Sequence, residues 1–414
     1  MEGTSDNLLH FGDNLRLMKK LAEDENVRGK IRMIYIDPPF FSKADYDAVI
    51  SVAGKNVRHP AYNDHWHNSL YEYLRQLAAR LMIMKELLAD DGTIWVHLDW
   101  HAVHYVRLLM DEIFGAINFV NEIIWTYKSG GSTKRRFSRK HDNILVYSKT
   151  QDYFFQPLEE KSYNRNFKPY RFKGVKEYRD EQGWYTMVNM KDVWAIDMVG
   201  RTAAERTGYA TQKPEQLLER IIASTSEPGD LVADFFCGSG TLPVVAARSG
   251  RRFIACDNGQ LAAETCAARL AQEGIGFRMY AEEGLDFSER AQPRFEVQIG
   301  VKTETLPGGE ERVWTIALQD VKERRMSRDM AEADKKHVKK TAKSDPLALI
   351  QSWSIDYDFD GKVHRPSQVL VRTKGKLTTE VEIFLKNRED RVICVKTVDV
   401  LGQVAYVLVR SEFQ

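Results

Sequence analysis

The chain has 414 residues, 43% of them hydrophobic, and a formal net charge of only +1. That length suggests two or three domains around real cores, with no internal repeat or low-complexity tract. The four cysteines show neither paired metal spacing nor a disulfide pattern, and there is neither a signal peptide nor an apolar run of bilayer length, so a cytoplasmic protein is expected. A chain this close to neutral can bind a polyanion only if its basic residues are segregated.

Leu8 to Phe11 reads as a short strand, and Asp13 or Asn14 suits the cap of a following helix. Met33 to Ile36 is a buried strand that runs into Asp37-Pro38-Pro39-Phe40. The two prolines end it, leaving a stiff loop at its carboxyl end, where open α/β sheets place their ligands. An acid, a carbonyl fixed between two prolines and a flat aromatic ring suit an exocyclic amine on a nucleobase. Residues 41 to about 66 have no clear period; this stretch, with Lys43 in it, is expected to be irregular and to close on a substrate.

Leu70, Leu74, Leu77, Leu81, Met84 and Leu88 recur at helical spacing, Asp91-Gly92 is expected to end that helix, and Thr93 to Asp99 form another buried strand. A helix over 103–113 and a strand over 119–125 follow. His97 and Asp99 are expected to cap or line a pocket. Between residues 127 and 180 the character changes: fourteen Lys or Arg stand against six Asp or Glu, with aromatics interleaved. The densest run holds Lys134, Arg135, Arg136, Arg139 and Lys140, and these with Lys43 are the candidate phosphate contacts.

Pro214 suits the first turn of a helix capped by Thr211 or Gln212. Leu231 to Asp234 is a strand, Phe235 to Gly240 a glycine turn, and Thr241 a helix start that tolerates Pro243. About twenty residues on, Arg252 to Cys256 is a strand ending at Asp257. That is the spacing of a nucleoside-binding βαβ unit: Gly238 and Gly240 let backbone amides approach a ligand, and Asp257 is placed for two ribose hydroxyls. Beyond residue 285, strands are expected at 295–299, 313–318, 368–371, 380–385 and 391–395, and a basic helix over 321–343.

The pair Asp37-Pro38-Pro39-Phe40 and Asp234-Phe235-Phe236-Cys237-Gly238-Ser239-Gly240-Thr241 resembles the amino-methyltransferases of DNA, which carry a methyl group from S-adenosylmethionine to adenine N6 or cytosine N4. The target motif comes first, as in the circularly permuted β class, and the likeness runs from about residue 7 to 275. It implies an α/β, Rossmann-like methyltransferase fold with a mixed, mostly parallel sheet, with 1–150 as the catalytic half, 151–192 for target recognition and 193–285 as the cofactor half. The strands and basic helix beyond the likeness read as a small α+β appendage, an accessory domain over 286–414. Asp37, Pro38, Pro39 and Phe40 would be catalytic. Asp13 would meet the cofactor's adenine amine, Thr211 and Lys213 its methionine end, and Asp234, Phe236, Gly238, Gly240 and Asp257 would complete its site. Family members usually carry proline where this chain has Phe235. An acid at the first motif position goes with adenine and a serine with cytosine. Double-stranded DNA, reached by base flipping, is the expected partner and the nucleoid the expected location. A homodimer and a restriction subunit stay open, and no metal is required. Competing readings are an RNA or metabolite methyltransferase, a silent DNA-binding subunit, and a dehydrogenase on the same βαβ unit.

Overall fold

The computed structural model describes residues 7–410 apart from 65–68, 129–132, 201, 282–294, 324–329, 362–363, 365, 373–374 and 387–390. In chain order, β1 (Leu8–Phe11) leads through α1 (Asn14–Glu23) to β2 (Ile31–Ile36). A hairpin of β3 (Asp45–Val52) and β4 (Lys55–Asn63) precedes α2 (Leu70–Leu87) and β5 (Leu88–Leu98). Next come α3 (Val103–Met110), β6 (Phe119–Thr126) and β7 (His141–Ser148). A separate three-stranded antiparallel sheet holds β8 (Glu159–Tyr163), β9 (Glu177–Arg179) and β10 (Trp184–Asn189), with β10 in the middle. The chain returns as β11 (Val193–Ala195), α4 (Glu215–Thr225), β12 (Leu231–Asp234), α5 (Thr241–Arg248), β13 (Arg252–Asp257), α6 (Gln260–Gln272) and β14 (Arg278–Ala281).

Nine strands join in the order β11-β6-β7-β5-β2-β12-β13-β1-β14, all parallel to their neighbours except β7, which opposes β5 and β6. This is the expected Rossmann-like, mostly parallel α/β sheet. Both faces are covered. Ile34, Ile36, Ile94 and Val96 bury against α1, α2 and α3, whereas Met33, Tyr35, Trp95 and Val232 bury against α4, α5 and α6. A strand apolar on both faces reads as a continuous hydrophobic run, which explains why β2 and β12 were visible in the sequence. At the centre β2 and β12 lie side by side. From β2 the chain crosses to β5 on one flank, and from β12 to β13 on the other. That divergence is a switch point, which opens a crevice at the strand ends.

Residues 295–410 form the α+β appendage. Its strands are β15 (Phe295–Thr305), β16 (Glu311–Glu323), β17 (Ile350–Asp356), β18 (Gln368–Val371), β19 (Glu380–Lys386), β20 (Val392–Asp399) and β21 (Val404–Arg410), with α7 (Glu332–Ser344) between β16 and β17. Two antiparallel sheets, β15-β16-β19 and β18-β17-β20-β21, share one core around Trp314, Ile316, Trp353, Ile355 and Val395.

Several sequence expectations are corrected here. The stretch after Phe40 is not irregular: it is the β3–β4 hairpin, turned by Ala53 (φ 46°) and Gly54 (φ 78°). Two positive φ angles make the hairpin turn that follows strand twist, and an alanine in the first position hid it. Its last residues, from 65, lie outside the described residues. Asp91-Gly92 falls within β5 rather than ending α2, which stops at Leu87. Pro214 itself takes the N-cap position of α4, in place of Thr211 or Gln212. Of the span 321–343, the first three residues finish β16 and the helix begins at Glu332, because strand alternation from Trp314 through Leu318 outweighs local charge.

Candidate active site

The crevice at the β2/β12 ends is a cleft of about 690 Å³, lined among others by Asn14, Tyr35, Asp37, Pro39, Thr211, Lys213, Asp234, Phe236, Gly238 and Asp257. It has room for a nucleoside-sized cofactor with a reacting group beside it. Asp37 follows β2 directly. One of its carboxylate oxygens, Oδ2, accepts a charged hydrogen bond from Lys213 Nζ. The other, Oδ1, is buried and has no hydrogen-bond partner among the described residues. A buried carboxylate oxygen left open costs free energy, which an incoming donor would recover. Lys213 also lies 5.5 Å from the Phe40 ring centroid and 3.4 Å from the Thr211 carbonyl oxygen.

Phe40 is held from beneath. Its ring stacks on His97 at 5.9 Å between centroids and 28° between planes. His97 is fully buried on β5, and both its nitrogens are engaged: Nδ1 with the Tyr35 hydroxyl at 2.8 Å and Nε2 with Asp142 Oδ2 at 3.3 Å. Asp142 also accepts from the Tyr127 hydroxyl at 3.1 Å. Burial pushes the Asp142 carboxyl up, but His97, Lys213 and Tyr127 outweigh it and hold that carboxyl below its ordinary value. Burial, then the charges of Asp37, Asp234 and Asp142, raise Tyr35 well above the usual phenol range, so it stays a neutral hydroxyl. The far side of the loop is pinned by Asp64, whose carboxylate accepts from Phe41 N–H at 3.0 Å and Ser42 N–H at 2.7 Å. Phe41 (φ 60°) and Lys43 (φ 58°) sit in left-handed conformations that such over-determination sustains.

On the other flank, Gly238 N–H donates to Asp257 Oδ2 at 2.9 Å and Gly259 N–H donates to Asp257 Oδ1 at 2.8 Å, aiming that carboxylate across the glycine turn. Gly240 has φ 78°, and a Cβ there would come within 3.0 Å of the Cys266 backbone, so the close approach of turn and α6 requires glycine. Asp234 accepts from Phe236 N–H at 2.9 Å. Burial, with Asp37 and Asp257 close by, raises its carboxyl well above the usual range. Burial likewise raises Asp257, against the pull of its backbone donors. Carboxylates around a cleft at a switch point, two of them held by glycine-turn amides, are the acceptor set for ribose hydroxyls and amino groups.

A family model described as DNA methylase, of the N6/N4 methyltransferase family, matches residues 31–267, more than half of the chain. The chain belongs to this DNA methylase family. Among curated relatives, the type II methyltransferase M.EcaI of Enterobacter cloacae is 29% identical over 322 residues, 63% of this chain and 68% of its own length. M2.DpnII of Streptococcus pneumoniae, also a type II methyltransferase, is 29% identical over 253 residues, 60% of this chain and 84% of its own. Among solved structures, the cytosine-N4-specific PvuII DNA methyltransferase matches at 18% identity and a TM-score of 0.44, over 66% of this chain and 89% of its own. A DNA modification methylase of Thermus thermophilus complexed with S-adenosylmethionine matches at 18% and 0.42, over 67% and 98%.

In this DNA methyltransferase the structure gathers Asp37, Pro39, Thr211, Lys213, Asp234, Phe236, Gly238 and Asp257 around one cleft; Pro38 and Phe40 belong to the same loop, and Gly240 caps α5 behind it. One placement differs from expectation. Asp13 does not line the cleft: it caps α1 through Arg16 N–H at 3.0 Å and pairs with Arg80 at 3.3 Å, as a short acid before a helix does. Its neighbour Asn14 faces the cleft instead, donating to the Phe235 carbonyl at 2.7 Å. Lys213, expected at the cofactor's methionine end, lines the cleft and is also bonded to Asp37, 176 residues away in the chain. Phe235, where proline is usual, is fully buried in the core beneath β12. Lys43, Lys134, Arg135, Arg136 and Arg139 are exposed, Lys140 half-buried, and the Arg139 guanidinium stacks 3.3 Å from the Trp100 ring. Sequence reading missed Asp64, which no local pattern marks, and the Tyr35–His97–Asp142 chain, whose members become neighbours only through strand pairing. Among the described residues, no helix is long and apolar enough to cross a membrane.

Proposed function

We propose that the chain transfers the methyl group of S-adenosylmethionine to the N6 amine of adenine in double-stranded DNA, and that it is of the permuted β class. The observation that carries this reading is the buried Oδ1 of Asp37 in the lining of the cleft, without a hydrogen-bond partner among the described residues. The bound cofactor supplies an electrophilic methyl group on a sulfonium. Its nucleoside suits the Asp257 and Gly238 side of the cleft, with Asp234 and Phe236 beside it, and its methionine end suits Thr211 and Lys213.

An aromatic amine is a weak nucleophile because its lone pair is delocalised into the ring. Asp37 Oδ1 accepts one amine hydrogen and the Pro38 carbonyl the other, which draws the nitrogen toward tetrahedral geometry and turns its lone pair to the methyl group. Lys213 fixes the rotation of the Asp37 carboxylate so that Oδ1 is the open oxygen. Phe40, stacked on His97, offers its outer face to the base. Orientation of two substrates supplies most of the acceleration. The amine is out of reach inside a duplex, so the base is extruded first, at a cost of a few kcal/mol. The exposed basic residues 134–139 and the aromatic-rich β8–β10 sheet hold the duplex, through phosphates and base edges respectively. Asp37 favours adenine over cytosine as target, in line with the family's preference for an acid at that position.

Transfer of labelled methyl groups to mixed genomic DNA, followed by mass spectrometry of the nucleosides, tests this. The expected product is N6-methyladenine, and Asp37→Ala lowers the rate by about 1,000-fold, the scale of losing one transition-state hydrogen-bond partner. N4-methylcytosine would retain the mechanism and overturn the adenine assignment. Full activity in Asp37→Ala would overturn the mechanism.

A further inference from the structure

The appendage is bolted to the catalytic loop through the β3–β4 hairpin. Val52 and Val57 of the hairpin are buried in a shared cluster with Val338, Leu349, Val400 and Leu401. His337 of α7 bonds the Val52 carbonyl at 2.9 Å. Asp334 of α7 accepts from Arg58 N–H at 3.3 Å and sits 3.8 Å from Lys55 Nζ. At its base the hairpin ends on Asp64, which pins Phe41 and Ser42 beside the catalytic motif. One rigid strut therefore runs from Asp37 to α7. Eight residues of β3 at about 3.3 Å each make that strut roughly 25 Å long.

The face of α7 turned away from the hairpin is cationic. Val338 and Thr341 are buried, while Lys336, Lys339, Lys340 and Lys343 are exposed. Spacings of three, four and seven residues put those four lysines on one stripe. Four like charges on one helix face repel each other, a cost that a polyanion removes. In a chain of net charge +1 such a stripe is segregated charge.

We propose that α7 is a second DNA-backbone contact, gripping phosphates of the duplex flank at a fixed distance from the target base. The inference rests on the DNA-methylation reading above. The ligand is the phosphate backbone, because beyond Glu332 in the first turn the stripe carries four ammonium groups and no aromatic or amide side chain to read a base edge. A strut of roughly 25 Å corresponds to about seven base pairs at 3.4 Å each. The contact therefore lies outside a short recognition sequence, on one side of it.

The test compares wild type with Lys336→Gln/Lys340→Gln/Lys343→Gln on two duplexes centred on the mapped target base. One ends about four base pairs from that base and the other runs about twenty base pairs beyond it, the two straddling the reach set by the 3.4 Å rise. On the long duplex, the slope of log affinity against log salt falls in magnitude by about 2.7 in the variant, at about 0.9 per phosphate. On the short duplex the two proteins bind alike, and the turnover at saturating DNA is unchanged. Arginine at the three positions restores the long-duplex slope. Equal slopes on the long duplex, or equal losses on both, would overturn the proposal. Failure of wild type to bind or methylate either duplex would instead remove the reading on which it rests.

Discussion

The methyltransferase sheet and the appendage bury comparable side chains by opposite means. In the former, parallel strands covered on both faces force connections to leave β2 and β12 in opposite directions, and a crevice opens where they part. In the latter, two antiparallel sheets close on a single core and leave no such divergence. Buried polar groups accordingly differ in purpose. Asp37 keeps an open oxygen over a cleft, whereas His364 of the appendage meets Ser354 Oγ through Nε2 at 2.8 Å, inside the fold, and its buried Nδ1 has no partner among the described residues. Parallel topology produces a reactive edge; antiparallel closure produces a support.

The largest effect that sharpens this contrast is on stability. Burial lowers His364 from 6.5 to about 3. A depressed histidine contributes stability that is complete above pH 6.5 and lost as pH falls toward 3, because the unfolded chain takes up the proton first. The appendage is expected to lose about 1.4 kcal/mol for each pH unit in that window. Denaturant titration at stepped pH measures it, and a slope in His364→Gln smaller than wild type by about that amount confirms the source. Equal slopes in wild type and His364→Gln through the window would show that His364 has no such role.

Lys213→Gln addresses the catalytic edge. It leaves Asp37 free to rotate, and a misdirected carboxylate costs on the order of 100-fold in kcat, with far smaller change in duplex affinity. Equal losses in cofactor affinity and kcat would assign Lys213 to the cofactor's tail instead. The smallest effect probes the seam. Gly208 has φ 88°, and a Cβ there would meet the Val49 carbonyl oxygen of the hairpin. Gly208→Ala is expected to destabilise by about 1–3 kcal/mol, with the 207–212 loop displaced from the cofactor side of the cleft. Calorimetry with and without S-adenosylmethionine reads both, and an unchanged melting temperature would mean that the seam yields freely.

Much of the site was legible because it is local. Asp37-Pro38-Pro39-Phe40 and Phe235 to Gly240 are contiguous, and their chemistry follows from residue type, strand ends and the turn between them. Buried β2, β12 and β13 announced themselves as apolar runs, and β18 has the expected bounds 368–371. The hairpin was hidden because Ala53-Gly54 lacks the usual asparagine, and β17 and β21 because their partners, not their sequences, set their bounds.

What the sequence determined by itself is the order of the central strands β1, β2, β5, β12 and β13 along the chain, the two motifs and the family to which they belong. Only the tertiary structure decided that Lys213 turns to Asp37 and Asp13 to its own helix, that His97 supports Phe40, and that Asp64 ties the hairpin to the catalytic loop. Those contacts join residues brought together by sheet pairing and burial. Each depends on which face of a strand a side chain takes and which neighbour lies across from it, and neither is fixed by any local run of residues.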